Sequence, residues 1–342
     1  MEILVFGGTV FLSRAMAELA VARGHNVTTF NRGQSGPPVA GAVDRVTGDR
    51  GRPEDLEQLR GRHFDLVFDT AYLPEHARLA ADLLEPGAAH YVYISSINAF
   101  PGWPDQADYR AGGVYDGDPD AVGDQVPNDL PDPEGSGPYG WRKVGCERSI
   151  LRRFGEHRTS ILRAGLIVGP KDRAGRLPWW LDRVARARAG ESVLAPGEPD
   201  AEVRLIDCRD IAEFALRRPV GTFEISGPRR QITRRQLLDE IAEITRAQPE
   251  FVWIPDEALA GRVQMWTEMP MWVPLTACPG IFNHDTTAAE AAGLALRPVR
   301  DTIIDTWEWM RSIEGGWTRS ERTPGLDPAK ESELIQDWLA TH

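Results

Sequence analysis

The sequence predicts an α/β protein: a doubly wound parallel sheet with a smaller α/β domain at its C-terminal side. Three observations predict it. The apolar run "EILVF" at 2–6 stops at two glycines and gives way to an amphipathic helical pattern. A second strand pattern follows at once, so strand, turn, helix and strand fit within about 30 residues, the length of a dinucleotide-binding unit. The strand–helix rhythm then continues along the chain, and "GTFEIS" near 221–226 supplies another parallel strand.

The first unit justifies itself residue by residue. Phe11, Leu12, Ala15, Met16, Leu19 and Ala20 fall at helical spacing, Gly24 stops the helix, and 26–30 form the second strand. A pyrophosphate needs free backbone N–H groups at a helix N-terminus, and side chains on the turn would block it. Gly7, Gly8, Thr9, Val10, Phe11 and Leu12 are therefore candidate cofactor-binding residues. A full Gly-x-x-Gly-x-x-Gly would place glycines at 7, 10 and 13, whereas this chain has Gly7, Val10 and Ser13, with Gly8 as an extra one. A tight turn without a ligand is the alternative.

Composition narrows the function classes. The 342 residues are 42% hydrophobic and 26% charged, ordinary for a globular protein able to bury a core. No apolar run is long enough to suggest a membrane span. "MEILVFGGTV" has no basic region before its apolar stretch, so no signal peptide is expected there. Cys146, Cys208 and Cys278 are widely spaced and odd in number, which suits a reducing cytoplasm and argues against a disulfide framework or zinc site. The histidines are scattered, so no metal is expected. A net charge of −12 disfavours a nucleic acid partner.

Seven segments in order resemble the short-chain dehydrogenase/reductase superfamily, in its extended and atypical, NAD(P)-dependent epimerase/dehydratase-like form. They are "GGTVFLS", "TGDRGRPEDLEQL", "FDLVFDTAYLPEH", "YVYISSINAF", "SILRAGLIVGP", "RLIDCRDIAEFAL" and "LALRPVRDTIIDTWEWM". The resemblance implies a Rossmann domain and a set of cofactor-binding positions. These are Asp49, approaching the adenine, with Arg50; Thr70, Ala71 and Tyr72 in the loop after strand four; Ser95; and Gly165 and Ile167.

Tyr139 and Lys143 lie one helical turn apart and so face one cleft. Alone, that spacing is common by chance. The resemblance adds Ser96, four residues before Phe100, as the catalytic hydroxyl, with Ser95 as the alternative. The chemistry needs these groups. A carbonyl that accepts hydride must also receive a proton, and a tyrosine ordinarily titrates near about 10. Working near pH 7 requires about 4 kcal/mol, and a cation at about 5 Å in an effective dielectric near 20 supplies roughly 3 kcal/mol. Lys143 is of the right size to do this and to hold the nicotinamide ribose as well. Ser96 orients the substrate oxygen.

The resemblance places Asn31 and Arg32 where NAD-specific sites carry an acid. A neutral residue followed by a cation suits the 2′-phosphate of NADP, with NAD as the alternative, and Arg32 stacked on adenine or solvated as the bland reading. The dinucleotide-binding domain is expected over 1–168 plus 207–225, and the substrate-binding domain over 169–206 plus 226–342. The latter holds Trp179, Trp180, Trp253, Trp266, Trp272, Trp307, Trp309, Trp317 and Trp338. "VQMWTEMPMWVP" at 263–274 is a lid or core packing. Asp172, Arg173 and Arg176 are substrate contacts or a solvated loop.

The expected activity is NADP(H)-dependent oxidoreduction of a carbonyl or alcohol on a small polar substrate. One alternative is an NAD-dependent nucleotide-sugar epimerase or dehydratase. Against it, Val203 occupies the position where such members carry a diphosphate-binding Arg, and the adjacent Arg204 faces the other way in a strand. The other alternative is a non-catalytic NAD(P)-binding regulator. The resemblance also implies a homodimer through 74–84 and 139–154, with Leu79, Leu83, Ile150 and Leu151 as apolar contacts. Finally, the loop between Ser96 and Tyr139 holds Asp105, Asp108, Asp116, Asp118, Asp120, Asp124, Asp129, Asp132 and Glu134 against Arg110. A field of one sign at the cleft mouth favours a cationic, amino-sugar-like substrate, unless those acids serve only solubility.

Overall fold

Residues Glu2–Phe6 form β1, an almost wholly buried strand, and its apolar side chains pack on both faces of a sheet, as parallel strands require. The computed structural model describes every residue except 42, 128–129, 131–136 and 319–324. After β1 the chain forms α1 (Phe11–Ala22), β2 (Asn26–Asn31), β3 (Val43–Thr47), α2 (Pro53–Leu56), β4 (Leu66–Asp69), α3 (Pro74–Leu84), β5 (Tyr91–Ser96), α4 (Gly137–Phe154) and β6 (Thr159–Ala164). There follow β7 (Ile167–Val168), α5 (Arg176–Ala185), β8 (Ser192–Pro196), β9 (Glu202–Val203), β10 (Ile206–Asp207), α6 (Cys208–Leu216), β11 (Gly221–Ile225), β12 (Ile232–Thr233) and α7 (Arg234–Thr245). The last elements are β13 (Glu250–Ile254), α8 (Asp256–Leu259), α9 (Thr287–Ala291), α10 (Val299–Ser312) and α11 (Pro328–Thr341).

The chain divides into two compact units. The first comprises Met1–Gly165, Cys208–Ser226 and Asn283–Leu296. Its seven-stranded sheet has the order β11-β6-β5-β4-β1-β2-β3, and every pairing in it is parallel. Strand order reverses between β1 and β4, so a crevice opens beyond their C-terminal ends, the usual ligand position in doubly wound sheets. α3 and α4 pack against one face through Ala77, Ala80, Ala81, Leu84, Cys146, Ile150 and Phe154. Ile150 is thus core, and is removed from the apolar contacts expected of a dimer, while Leu79, Leu83 and Leu151 remain half-buried beside it. Residues 283–296 lie with this unit rather than with the smaller domain expected from the sequence. Asn283 Nδ2 donates to the Ala107 carbonyl at 2.6 Å, and the Asp285 N–H donates to Glu224 at 3.1 Å.

The second unit comprises Leu166–Asp207, Gly227–Phe282 and Arg297–His342. Its strands form pairs, β7 with β10, β8 with β13 and β9 with β12. The 263–274 segment belongs to its core: Met269, Met271 and Trp272 are buried in the cluster that also holds Trp179 and Trp180. Trp180 Nε1 donates to the Pro270 carbonyl at 2.7 Å, and Trp272 Nε1 to Asp256 at 2.8 Å. This is packing, with the indole N–H groups satisfied, as burial of tryptophan demands. Asp172 is likewise buried and accepts from the N–H groups of Ala174 and Arg176, bracing the turn before α5. Arg204 is buried and donates to the carbonyls of Gly227 and Phe282, a structural role. Among the described residues no helix is long and apolar enough to cross a membrane.

Candidate active site

The turn after β1 is made by Gly7 and Gly8, at φ 97° and 81°. A Cβ on Gly8 would come within 2.6 Å of Thr29 Cγ2 on β2, so the turn can lie this close to its neighbour only without a side chain. Among the described residues no side chain caps the N-terminus of α1 at Val10. Ser13, standing where a third glycine is usual, braces the turn from inside: its Oγ accepts from the Gly8 N–H at 3.0 Å and donates to the Val10 carbonyl at 3.0 Å. Gly8 N–H is therefore spent internally. Two glycines and an uncapped helix start fit a dinucleotide pyrophosphate.

Asn31, at the end of β2, is committed to the same turn. Its Nδ2 donates to the Gly7 carbonyl at 2.7 Å and its Oδ1 accepts from the Gly33 N–H at 2.9 Å. Arg32 beside it is exposed. Asp49 Oδ1 accepts from the Gly51 N–H at 2.9 Å. Arg50, also expected at the cofactor, has a partner within the chain. Its guanidinium makes a two-pronged ion pair with Asp69 at 2.6 and 2.7 Å and lies 4.3 Å from the Phe6 ring centre. Asp69 also accepts from Tyr91 Oη and the Ala71 N–H. Burial alone raises the Asp69 carboxyl, but the Arg50 charge and these hydrogen bonds bring it below its ordinary value. Arg50 thus holds β4 and the following loop, Thr70, Ala71 and Tyr72, in place.

Alternation along β5 separates the two serines. Ser95 Oγ donates to buried Glu147 of α4, which is paired with Arg163 of β6 at 2.6 Å, so Ser95 ties β5 to α4 and β6. Ser96 Oγ donates to Asn98 Oδ1 at 2.8 Å and accepts from the Asn98 N–H at 3.2 Å. The turn at Ile97–Ala99 then meets α4 at Gly140, where a Cβ would lie 1.8 Å from the Asn98 carbonyl oxygen. This close approach sets the turn after Ser96 against α4 at Gly140, the residue after Tyr139.

Lys143 is almost fully buried. Its Nζ donates to the Ala71 carbonyl at 2.9 Å and to that of Ile94, and lies 4.4 Å from the Tyr93 ring centre. Burial pushes its pKa down to about 8. Burial also pushes the neighbouring Cys146 thiol up to about 11, which makes it a poor nucleophile. Tyr139 is 39% exposed and its ring stacks on Tyr72, centroids 5.9 Å apart. Tyr139 and Lys143 therefore both meet the 71–72 loop. Gly165 closes β6 with its N–H on the Ile225 carbonyl, and a Cβ there would meet His284 and Ser226. Ile167 belongs to the second unit, in β7.

Sequence reasoning missed Asn98, Arg142, Glu147 and Arg163. The signal for the first was available: a glycine inside a helical pattern, at 140, marks a close backbone neighbour. It also undercounted the bases near the acidic loop. Asp116 pairs with Arg148, Asp120 with Arg152, and Asp124 with Arg142, all from α4. Asp129, Asp132 and Glu134 lie outside the described residues.

The sheet order and the glycine turn make a Rossmann-like α/β fold, the fold class that the resemblance implied. Among solved structures the chain is similar to a UDP-glucose 4-epimerase with UDP-glucose from Thermotoga maritima. The identity is 17% and the TM-score 0.61, over 91% of this chain and 99% of that one. It is similar as well to the Bordetella bronchiseptica enzyme WbmH in complex with NAD+, at 15% identity and a TM-score of 0.61, over 91% and 98% of the two chains. A third is a UDP-N-acetylglucosamine 4-epimerase from Methanobrevibacter ruminantium, at 13% and 0.62, over 91% and 98%. At such identities the likeness is one of fold. No family model and no curated protein matches the chain.

Proposed function

We propose that the protein is an NADP(H)-dependent oxidoreductase that interconverts a carbonyl and an alcohol on a small polar substrate. The observation that carries the reading is the meeting of Tyr139 and Lys143 at one loop, with Lys143 buried and hydrogen-bonded beside it. The glycine turn would hold a nicotinamide dinucleotide, which would supply the hydride to the carbonyl carbon in reduction or accept it in oxidation. Tyr139 would give its proton to the carbonyl oxygen in reduction, and solvent would replace that proton. Lys143 lowers the cost of the phenolate that remains, and Ser96, oriented by Asn98, positions the oxygen. NADP is favoured over NAD because position 31 carries no acid and Arg32 is exposed beside the turn. The reading includes a homodimer through α3 and α4, with Leu79, Leu83 and Leu151 as its apolar contact.

Fold likeness favours a second reading, a nucleotide-sugar epimerase with retained NAD. Val203, where a diphosphate-binding arginine is expected, counts against it. One set of assays separates the two. NADPH oxidation is followed with acidic, neutral and basic ketones and aldehydes, and UDP-hexose interconversion is followed without added cofactor. Tyr139→Phe is expected to reduce NADPH-linked turnover roughly 10²–10⁴-fold while leaving NADPH binding intact. Full activity in that variant overturns the role of Tyr139. Hexose interconversion on co-purified NAD, without NADPH-linked turnover, overturns the reductase reading. The basic ketones bear on the cationic, amino-sugar-like substrate: three of the described acids in its supporting loop are already paired, which leaves the electrostatic case to Asp105, Asp108 and Asp118.

A further inference from the structure

Three residues of α4 face one loop. Lys143 holds the Ala71 carbonyl, and Arg142, one position earlier and buried, donates from Nη1 to the Tyr72 hydroxyl. The Arg142 guanidinium carbon also lies 5.1 Å from the Tyr72 ring centre, a cation–π contact. Its other end is fixed, with Nη2 donating to the Asp124 carbonyl. The Tyr72 ring in turn lies nearly parallel to the Tyr139 ring, with 18° between planes. The chain of contacts closes on itself: α4 sends out Arg142, Arg142 holds Tyr72, and Tyr72 backs Tyr139, one turn earlier on the same helix. Both rings are about two-fifths exposed, at 42% and 39%, although large aromatic rings are ordinarily more covered.

We propose that Tyr72 is a positioning residue for Tyr139: stacked against it and clamped by Arg142, it keeps the phenol of Tyr139 on the side of α4 that faces Lys143, whose charge favours the phenolate left when Tyr139 gives up its proton. This rests on the acid role of Tyr139 proposed above. It differs from a cofactor-contacting role for Tyr72, because its effect passes through the ionisation of Tyr139 and not through NADPH affinity. An aromatic ring is suited to the task, since it restricts ring tilt over its whole face and has few rotamers of its own to fix.

The test uses the full chain, labelled with tyrosine carrying carbon-13 at Cζ, with the Tyr139 signal assigned by its loss in Tyr139→Phe. Its ionisation midpoint is measured in wild type, Tyr72→Phe and Tyr72→Ala, together with NADPH affinity and turnover of the best carbonyl from the panel above. In Tyr72→Ala the midpoint is expected to rise by about one pH unit, as the phenol drifts from Lys143. Turnover is expected to fall roughly tenfold to a hundredfold with the affinity for NADPH unchanged. Tyr72→Phe keeps the ring and is expected to fall between wild type and Tyr72→Ala. In the Tyr139→Phe background, Tyr72→Ala is expected to cost nothing more. An unchanged midpoint in Tyr72→Ala overturns the proposal, as does a loss confined to NADPH affinity. If Tyr139→Phe is itself fully active, the acid reading fails, and the midpoint still reports separately whether Tyr72 positions the ring.

Discussion

Arg32 and Lys143 are two cations treated oppositely by their surroundings. Arg32 is exposed at the end of β2 next to an asparagine whose side chain is already committed to the Gly7 carbonyl. Arg32→Ala is expected to weaken NADPH roughly ten- to a hundredfold and NADH much less, because one charge-assisted contact is worth about 1.5–3 kcal/mol. Equal weakening in fluorescence titrations with both cofactors means that Arg32 does not read the 2′-phosphate. Lys143 is buried, and burial lowers its pKa to about 8. Between about pH 8 and its ordinary value near 10.4, the unfolded chain holds this proton more tightly than the folded one, so the Lys143 contribution to stability rises with pH. Below pH 8 the cost of burying the charge is fully present. Lys143→Met removes that cost. Its stability relative to wild type is expected to fall by up to about 3 kcal/mol between pH 7 and pH 10.5, read from denaturant unfolding at both pH values.

α4 is shaped by its glycines as much as by its apolar face. Gly140 lets the Asn98 carbonyl touch the helix, and a Cβ on Gly145 would lie 2.6 Å from the Asp118 carbonyl oxygen. Helix propensity alone favours alanine at both places. Here the tertiary neighbour reverses the sign: Gly140→Ala is expected to destabilise the protein by about 1–3 kcal/mol and to impair turnover, because α4 must move away from the Ser96 turn. A stability equal to or above wild type in urea unfolding counts against this close approach. The same helix carries Arg142, Arg148 and Arg152, which take Asp124, Asp116 and Asp120 of the preceding loop. These pairs bind the loop along the helix, and the exposed ones contribute little energy each.

Across the molecule, the candidate cofactor turn and the buried Arg234–Asp256 pair belong to different units. Asp256 accepts from Arg234, Trp272 Nε1 and the Leu275 N–H inside the second unit. Asp256→Asn leaves Arg234 buried without its counter-charge and is expected to destabilise the protein by about 3–5 kcal/mol. NADPH affinity below the unfolding temperature is expected to stay within about twofold, since no residue of the glycine turn is altered. A large loss of NADPH affinity in the folded variant counts against placing cofactor binding in the first unit. For the proposed dimer, Leu83→Glu is expected to convert a dimer mass to a monomer mass in light scattering, through a charge placed in an apolar contact.

Local signals carried a long way. The run 2–6, the paired glycines and the helical spacing from Phe11 to Ala20 specify strand, turn and helix without help from distant residues, because backbone freedom and apolar periodicity act over a few positions. The one-turn spacing of Tyr139 and Lys143 is of the same kind. What stayed hidden depends on partners remote in the chain. Nothing near Arg50 in the sequence names Asp69, 19 residues away, as the partner that takes its guanidinium. Ser95 and Ser96 are neighbours in sequence, and their roles divide only when the sheet turns one toward Glu147 and the other toward Asn98. The acidic loop looks like an unbalanced field until α4 sets three arginines beside it. Charge and hydrogen-bond pairing are decided by distance in space. A sequence lists the donors and acceptors, and folding alone chooses among them, since each buried polar group must find a partner that local spacing does not name.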